Sequence, residues 1–178
     1  MDRSLGIVIP AYRPDVDALA AYVDALDSEL APEALRIELD DPAPGVVDAL
    51  GGVPATIHTV EERRGKGAAI TDGFEHLDTE VLAFADADGS TPPASLAEVV
   101  EPVRSGEADL AAGSRRHTGA TVRSHQTYAR RWLGHAFARV ARLLLSAKLY
   151  DYQCGAKAIS REAWRAVRAH LYEPGFAW

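Results

Sequence analysis

An α/β fold built on a mostly parallel, doubly wound sheet is predicted for this chain from three observations. Short apolar runs alternate with segments of helical periodicity. Most of the apolar runs end in a polar or glycine-bearing turn. The fourth run, Val81 to Ala85, leads straight into two carboxylates, Asp86 and Asp88, spaced two residues apart. Repeated βα units imply a parallel sheet whose ligand site lies at the carboxyl ends of the strands.

The elements follow in order. Leu5 to Ile9 reads as a first strand closed by Pro10, and Asp15 can cap a helix in which Leu19, Tyr22, Val23 and Leu26 recur at helical spacing. Leu35 to Leu39 reads as a second strand, ended by Asp40-Asp41-Pro42. A brief helix through Val46, Val47 and Leu50 precedes Ala55 to Val60, which is β-branched enough for a third strand. After a glycine-rich turn, Ala68 to Leu77 is helical, Val81 to Ala85 is the fourth strand, Pro93 to Arg104 is helical, and Ala108 to Ala112 is another strand.

Composition bounds the class. The 178 residues, 47% hydrophobic and 25% charged, suit one soluble domain over 1–178. Apolar runs such as Leu143-Leu144-Leu145 fall far short of the ~20 residues a membrane span needs, and the N-terminus has no basic-then-apolar signal segment. An intracellular protein is expected. The single cysteine, Cys154, allows no internal disulfide and no cysteine pair for zinc, and the six histidines show no paired ligand spacing.

The net charge of −7 is unevenly spread. Between Leu110 and Tyr150 lie eight basic residues and no Asp or Glu, so an acidic body carries one cationic segment that should meet anions. No nucleic-acid partner is expected. Within that segment Leu133, Phe137, Val140 and Leu144 form one helical stripe, with Arg131, His135 and Arg142 opposite. Such a helix packs on a sheet in the plainer account, and makes peripheral membrane contact in the sharper one.

Several polar residues fall where a crevice would be. Asp86 and Asp88 can converge on one divalent cation with positions left open for a diphosphate. Alone, that claw fits phosphate hydrolysis as well as sugar transfer. Pro10-Ala11-Tyr12, Asp40-Asp41, Asp86-Asp88 and Gly113-Ser114-Arg115 each follow a predicted strand, so four turns should line one site. Arg63-Arg64-Gly65-Lys66-Gly67 precedes a helix, where glycines admit a close ligand and the cations attract phosphate. It lacks the glycine spacing and the Ser/Thr of a Walker A loop, and also reads as an exposed basic turn.

Taken in order, IVIPAYRP, LDD, RGKGAA, FADADGS, AGSR, VRS and DYQCGAKAISREAW resemble the inverting nucleotide-sugar glycosyltransferases of family 2, particularly dolichyl- and polyprenyl-phosphate sugar synthases. The resemblance covers nearly the whole chain and implies a three-layer GT-A fold. It implies that Pro10, Ala11, Tyr12, Asp40 and Asp41 hold the nucleoside and that Lys66 lies near nucleotide or phosphate. Asp86 and Asp88 become the Asp-x-Asp pair for Mg²⁺ or Mn²⁺, with Asp88 in direct metal contact. Arg115 and Arg123 match arginines near the sugar diphosphate and the acceptor phosphate, which places them with Asp88 as catalytic; a solvated arginine is the alternative for Arg123. Gln153 aligns with the donor-site segment together with Asp151, Gly155 and Lys157. The implied partners are a nucleotide-sugar donor resembling UDP-glucose and a polyprenyl or dolichyl phosphate acceptor. The implied setting is protein glycosylation at the cytoplasmic face of a membrane.

The chain departs from the family pattern in three places. Ala156 replaces the usual aromatic, and Asp40-Asp41-Pro42-Ala43-Pro44-Gly45 lacks the small hydroxyl and third acid of the usual D-D-G-S-x-D. Family members continue beyond the turn at Pro174 to Trp178, so C-terminal elements are expected to be missing and the acceptor half weakened. Two rival readings come from other classes. Asp86-Ala87-Asp88-Gly89-Ser90 also resembles the Asp-x-Asp-Gly-Thr/Ser motif of haloacid-dehalogenase-type phosphatases, with Asp86 as nucleophile. Those enzymes place the motif on an early strand and need a later acidic pair, neither of which this sequence offers. The other rival is a non-catalytic nucleotide-sugar-binding module.

Overall fold

The computed structural model describes residues 3–113 and 155–170. In chain order these form β1 (Leu5–Tyr12), α1 (Val16–Leu30), β2 (Ala34–Asp40), α2 (Val46–Ala49), β3 (Thr56–Val60), α3 (Lys66–His76), β4 (Val81–Ala85), α4 (Pro93–Arg104), β5 (Leu110–Ala112), β6 (Ala156–Ser160) and α5 (Arg161–Val167). The sheet order is β3-β2-β1-β4-β6-β5. Strands β1 to β4 pair in parallel, and β6 runs antiparallel between β4 and β5. The chain winds outward from β1 to β3, then crosses back to β4. The strand order therefore reverses between β1 and β4, the switch point at which open α/β sheets bind ligands.

Period-two alternation divides the core into two layers. Ile7, Ile9 and Ala11 of β1, Leu35, Ile37 and Leu39 of β2, and Val81, Ala83 and Ala85 of β4 pack with the buried stripes of α1 and α4. Val8, Leu82, Phe84 and Ile159 pack instead with Ile70 and Phe74 of α3 and Trp164 of α5. The Asp15 carboxylate caps α1 by accepting from the Ala18 amide at 3.1 Å. Helix α3 lies so close to the sheet that a Cβ on Gly73 would meet Val8 Cγ1 at 2.6 Å.

Most expected elements are present, with differences at β1, α3 and β6. Strand β1 continues through Pro10 to Tyr12, because beyond Val8 it pairs only with β2 and a missing N–H is tolerated where one ladder has ended. Helix α3 begins at Lys66 rather than Ala68. Strand β6 was not anticipated: Ala156-Lys157-Ala158-Ile159-Ser160 has a single β-branched residue, and its partners Val81–Ala85 lie far away in sequence.

The short helix α5 is tied to the end of α3. Ser160 caps it, and the Arg161 guanidinium donates to the carbonyls of Leu77 and Thr79. Trp164 meets Phe74 edge-on at 5.2 Å and donates its Nε1–H to Glu75 at 2.8 Å. Burial works against the Glu75 charge, yet hydrogen bonds from Arg168 and Trp164 hold its carboxyl below the usual range. Arg161→Ala is expected to lower stability by about 1–3 kcal/mol, since two partly buried carbonyls lose their donor. Urea unfolding checks this, and an unchanged midpoint would contradict it.

Candidate active site

The Asp86–Ser90 loop leaves β4 at the switch point and is built by local bonds. The Gly89 amide donates to the Asp86 carbonyl at 3.3 Å, and the Ser90 amide to Asp88 Oδ1 at 2.9 Å. Gly89 adopts φ +64°, a left-handed conformation that glycine takes without strain, and lies against the Tyr22 ring. Tyr22, on α1, donates its hydroxyl to the Thr91 carbonyl at 2.6 Å and so pins the loop from beneath. Burial pushes the phenol pKa up, and the charges of Asp86 and Asp88 push it further, so it stays a donor.

Two neighbours fix the Asp86 side chain. The Lys66 ammonium, at the start of α3, lies 2.5 Å from Oδ1. On the other side a Cβ added to Gly155 would come within 2.0 Å of Oδ2, so the carboxylate occupies the space a larger residue would fill. The Asp86 amide also donates to the Gly155 carbonyl at 3.1 Å. Asp88 is exposed. Two carboxylates at a strand end are hard oxygen donors, a set that suits Mg²⁺ or Mn²⁺ with several positions left for diphosphate oxygens. Of the two, Asp88 is the more open, because Asp86 is already paired.

The acids at the end of β2 do different work. Arg36, Glu38 and Asp40 alternate on the α3 face of that strand, and Glu38 is fully buried. Glu38 accepts from Arg36 at 2.5 Å and from Arg64 at 3.0 Å, and contacts His58 at 2.8 Å. Asp40 accepts from the Arg64 and Gly65 amides at 2.8 and 3.0 Å and from Arg64 Nε at 3.0 Å. Arg64 also donates to Asp72 at 2.9 Å, so one guanidinium bridges three carboxylates. Burial opposes ionisation of Asp72, but the Arg64 bond and nearby charges keep its carboxyl below the ordinary range. Glu38, His58 and Asp72 bring ligand atoms within 4.8 Å of one another. Arg64 supplies positive charge there, and the resulting ion-pair network shapes the Arg63–Lys66 turn.

The remaining expected residues are distributed as follows. Pro10, Ala11 and Tyr12 close β1; Ala11 is buried in the core and offers a ligand only its backbone. Tyr12 is 38% exposed, with the Arg63 guanidinium 4.3 Å and that of Arg13 5.2 Å from its ring centroid. Asp41 pairs with Arg13 at 3.4 Å, and both residues adopt φ of 47°. Asp40, expected at the nucleoside, has both oxygens engaged by the turn beneath it. Tyr12, Asp41, Lys66, Asp86 and Asp88 thus share the carboxyl-end rim, whereas Arg115, Arg123, Gln153 and the basic amphipathic helix lie outside the described residues. The sequence assigns Tyr22 only to the apolar stripe of α1, Arg64 to a phosphate-attracting turn and Gly155 to the segment aligned with Gln153, and it assigns Glu38 nothing; the structure gives each of them a neighbour at the site. The legible signal for Glu38 is the alternation of Arg36, Glu38 and Asp40 with Leu35, Ile37 and Leu39, which puts the three charges on one face of β2.

Comparison with known proteins decides the family. The sequence profile of Glycosyl transferase family 2 matches residues 7–168. The chain belongs to that family. This family 2 domain is 32% identical to Glycosyltransferase AglD of Haloferax volcanii over 98% of the chain and 29% of that protein. It is 30% identical to the polyprenol monophosphomannose synthase of Mycolicibacterium smegmatis, covering 90% of the chain and 63% of the synthase. It is 31% identical to the dolichyl-phosphate beta-glucosyltransferase of Mus musculus, covering 64% of the chain and 36% of that enzyme. The chain therefore spans less than two thirds of each of these relatives. Among solved structures, mannosyl-3-phosphoglycerate synthase from Rubrobacter xylanophilus superposes with a TM-score of 0.70 at 15% identity, over 91% of this chain and 54% of that one. Glucosyl-3-phosphoglycerate synthase from Mycobacterium tuberculosis, solved with Mn²⁺, UDP and phosphoglyceric acid, gives 0.67 at 16% identity over 90% and 56%. The family 2 domain has the GT-A fold. No helix among its described residues is long and apolar enough to cross a membrane.

Proposed function

We propose that this domain transfers a hexose from a nucleoside diphosphate sugar to a polyprenyl or dolichyl phosphate, with inversion and with help from Mg²⁺ or Mn²⁺. The observation that carries this reading is the Asp86-x-Asp88 pair at the β1/β4 switch point, with Lys66 against it at the N-terminus of α3. Relatives named as polyprenol and dolichyl-phosphate sugar synthases support the acceptor, and a solved neighbour holding Mn²⁺ and UDP supports the donor.

The chemistry needs little from the protein besides placement and charge. An acceptor phosphate oxygen, already anionic at neutral pH, attacks the anomeric carbon from the face opposite the diphosphate. A carbon–oxygen bond forms, the bond to the donor phosphate breaks, and the nucleoside diphosphate leaves with the electron pair. No general base is required. The bound metal would supply Lewis-acid neutralisation of that leaving group, held by Asp88 with Asp86. Tyr12, with the Arg63 guanidinium over its ring, offers the base an aromatic and a planar cationic surface. Arg115 and Arg123 are proposed to meet the sugar diphosphate and the acceptor phosphate, Gln153 to help hold the donor, and membrane contact to run through the basic helix.

The test is transfer of labelled glucose or mannose from UDP-glucose or GDP-mannose to a short polyprenyl phosphate. Turnover should vanish with EDTA and return with Mn²⁺ or Mg²⁺. Product formation undiminished by EDTA would overturn the metal role. Release of phosphate from a generic phosphoester, lost in Asp86→Asn, would favour phosphatase chemistry instead.

A further inference from the structure

We propose that Lys66 and the divalent cation exchange places on Asp86, so that metal arrival releases the lysine to the donor's diphosphate. The inference rests on the donor-site reading above and adds a coupling between its two cations. In this structure the carboxylate of Asp86 is confined on both sides: Oδ1 faces the Lys66 ammonium at 2.5 Å, and Oδ2 is packed against Gly155 with no room for even a methyl group. In the proposed exchange a second cation at Asp86 competes with Lys66 for Oδ1. Two positive charges around one carboxylate oxygen also repel each other.

The lysine has somewhere to go. Lys66 is the first residue of α3, with its side chain 36% exposed, and Gly65 before it adopts φ of 93°, which leaves the preceding backbone without a side chain. The helix N-terminus adds its own partial positive charge to the same place. The turn carrying Lys66 is fixed by Asp40, which accepts from the amides of Arg64 and Gly65, so release involves only the side chain. The ammonium also lies 5.0 Å from the Phe84 ring centroid, with that of Lys157 5.6 Å from the same centroid. Before a cation binds, Lys66 neutralises Asp86; once it binds, the same charge becomes available to an anion.

Calorimetric titration with Mn²⁺ alone, then with UDP in the presence and absence of Mn²⁺, tests this on the wild-type chain and on Lys66→Met and Lys66→Gln. Circular dichroism confirms that at least one variant keeps the fold. Without nucleotide, the variants should bind Mn²⁺ about threefold to fivefold more tightly, the scale of a partly exposed ion pair. With Mn²⁺ present they should bind UDP more weakly by a similar factor. Lost charge repulsion alone would tighten metal binding, so exchange is marked by a loss of UDP affinity that is larger with Mn²⁺ than without it. Unchanged or weaker Mn²⁺ binding by folded variants, with wild-type UDP binding intact, overturns the exchange and leaves the donor site standing. Failure of the wild type to bind either Mn²⁺ or UDP overturns both.

Discussion

Gly155→Ala is expected to lower kcat/KM for sugar transfer by about a hundredfold while leaving the domain folded. The new methyl group would lie 2.0 Å from Asp86 Oδ2 and 2.6 Å from its Cγ, so the carboxylate must move. Its backbone has little freedom to follow, because the Asp86 amide is bonded to the Gly155 carbonyl and Ala85 is paired with Ala156 across β4 and β6. The side chain therefore rotates or shifts by about 1 Å, breaking its alignment with Lys66 and Asp88, and misplacement on that scale costs about 10²-fold in rate. Overpacking should cost about 1–3 kcal/mol of stability. The two effects separate in a double-mutant cycle: with Asp86→Ala as background there is no carboxylate to displace, and adding Gly155→Ala should change the unfolding free energy much less. Equal costs in both backgrounds, or full turnover by Gly155→Ala, would remove the steric argument.

Arg64→Ala should be the most destabilising single change in the described site, by about 3 kcal/mol. Truncation leaves Glu38, fully buried, with only Arg36 and His58, and strips Asp40 and Asp72 of their shared cation. Removing one partner of a buried charge network leaves the others desolvated and uncompensated, which outweighs the net worth of the intact pair. The turn before α3 should loosen as well, so nucleotide affinity falls along with the melting temperature. Arg64→Lys should recover only part of the loss, because a point charge cannot serve three carboxylates at once.

The same network gives a pH signature. Asp72 has its carboxyl lowered in the folded state, so its contribution is present above the ordinary carboxylate range and is lost as pH falls through the lowered value. Without Arg64 most of that lowering is lost. The acid limb of the stability profile should therefore be shallower in Arg64→Ala than in the wild type: the variant starts less stable at neutral pH and loses less as pH falls through the carboxylate range, measured by thermal melts at a series of pH values.

Much of the fold was legible because it depends on short-range pattern. The capping Asp15, the Leu19–Tyr22–Val23–Leu26 stripe and the apolar Val81–Ala85 run each carry their own periodicity, and the structure has α1 and β4 where these place them. The carboxylate pair after β4 was legible for the same reason. Strand β6 was not, since a small-residue segment becomes a strand only when β4 and β5 lie on either side of it. Nor was the part played by Asp40, whose partners Arg64 and Gly65 lie 24 and 25 residues away and meet it only after β3 and α3 fold back.

By itself, then, the sequence determined the α/β class, the order of its first nine elements and the presence of two acids, two residues apart, in a strand-end loop. These follow from local periodicity, capping and turn chemistry, which a chain carries before it folds. Only the tertiary structure decided what those acids touch. Asp86 is set by Lys66 from one direction and Gly155 from another, residues 20 positions before it and 69 after it in the chain. A glycine shows in a sequence only that no side chain is present. What that absence makes room for is settled when β6 lies down beside β4 and brings the Asp86 carboxylate over it.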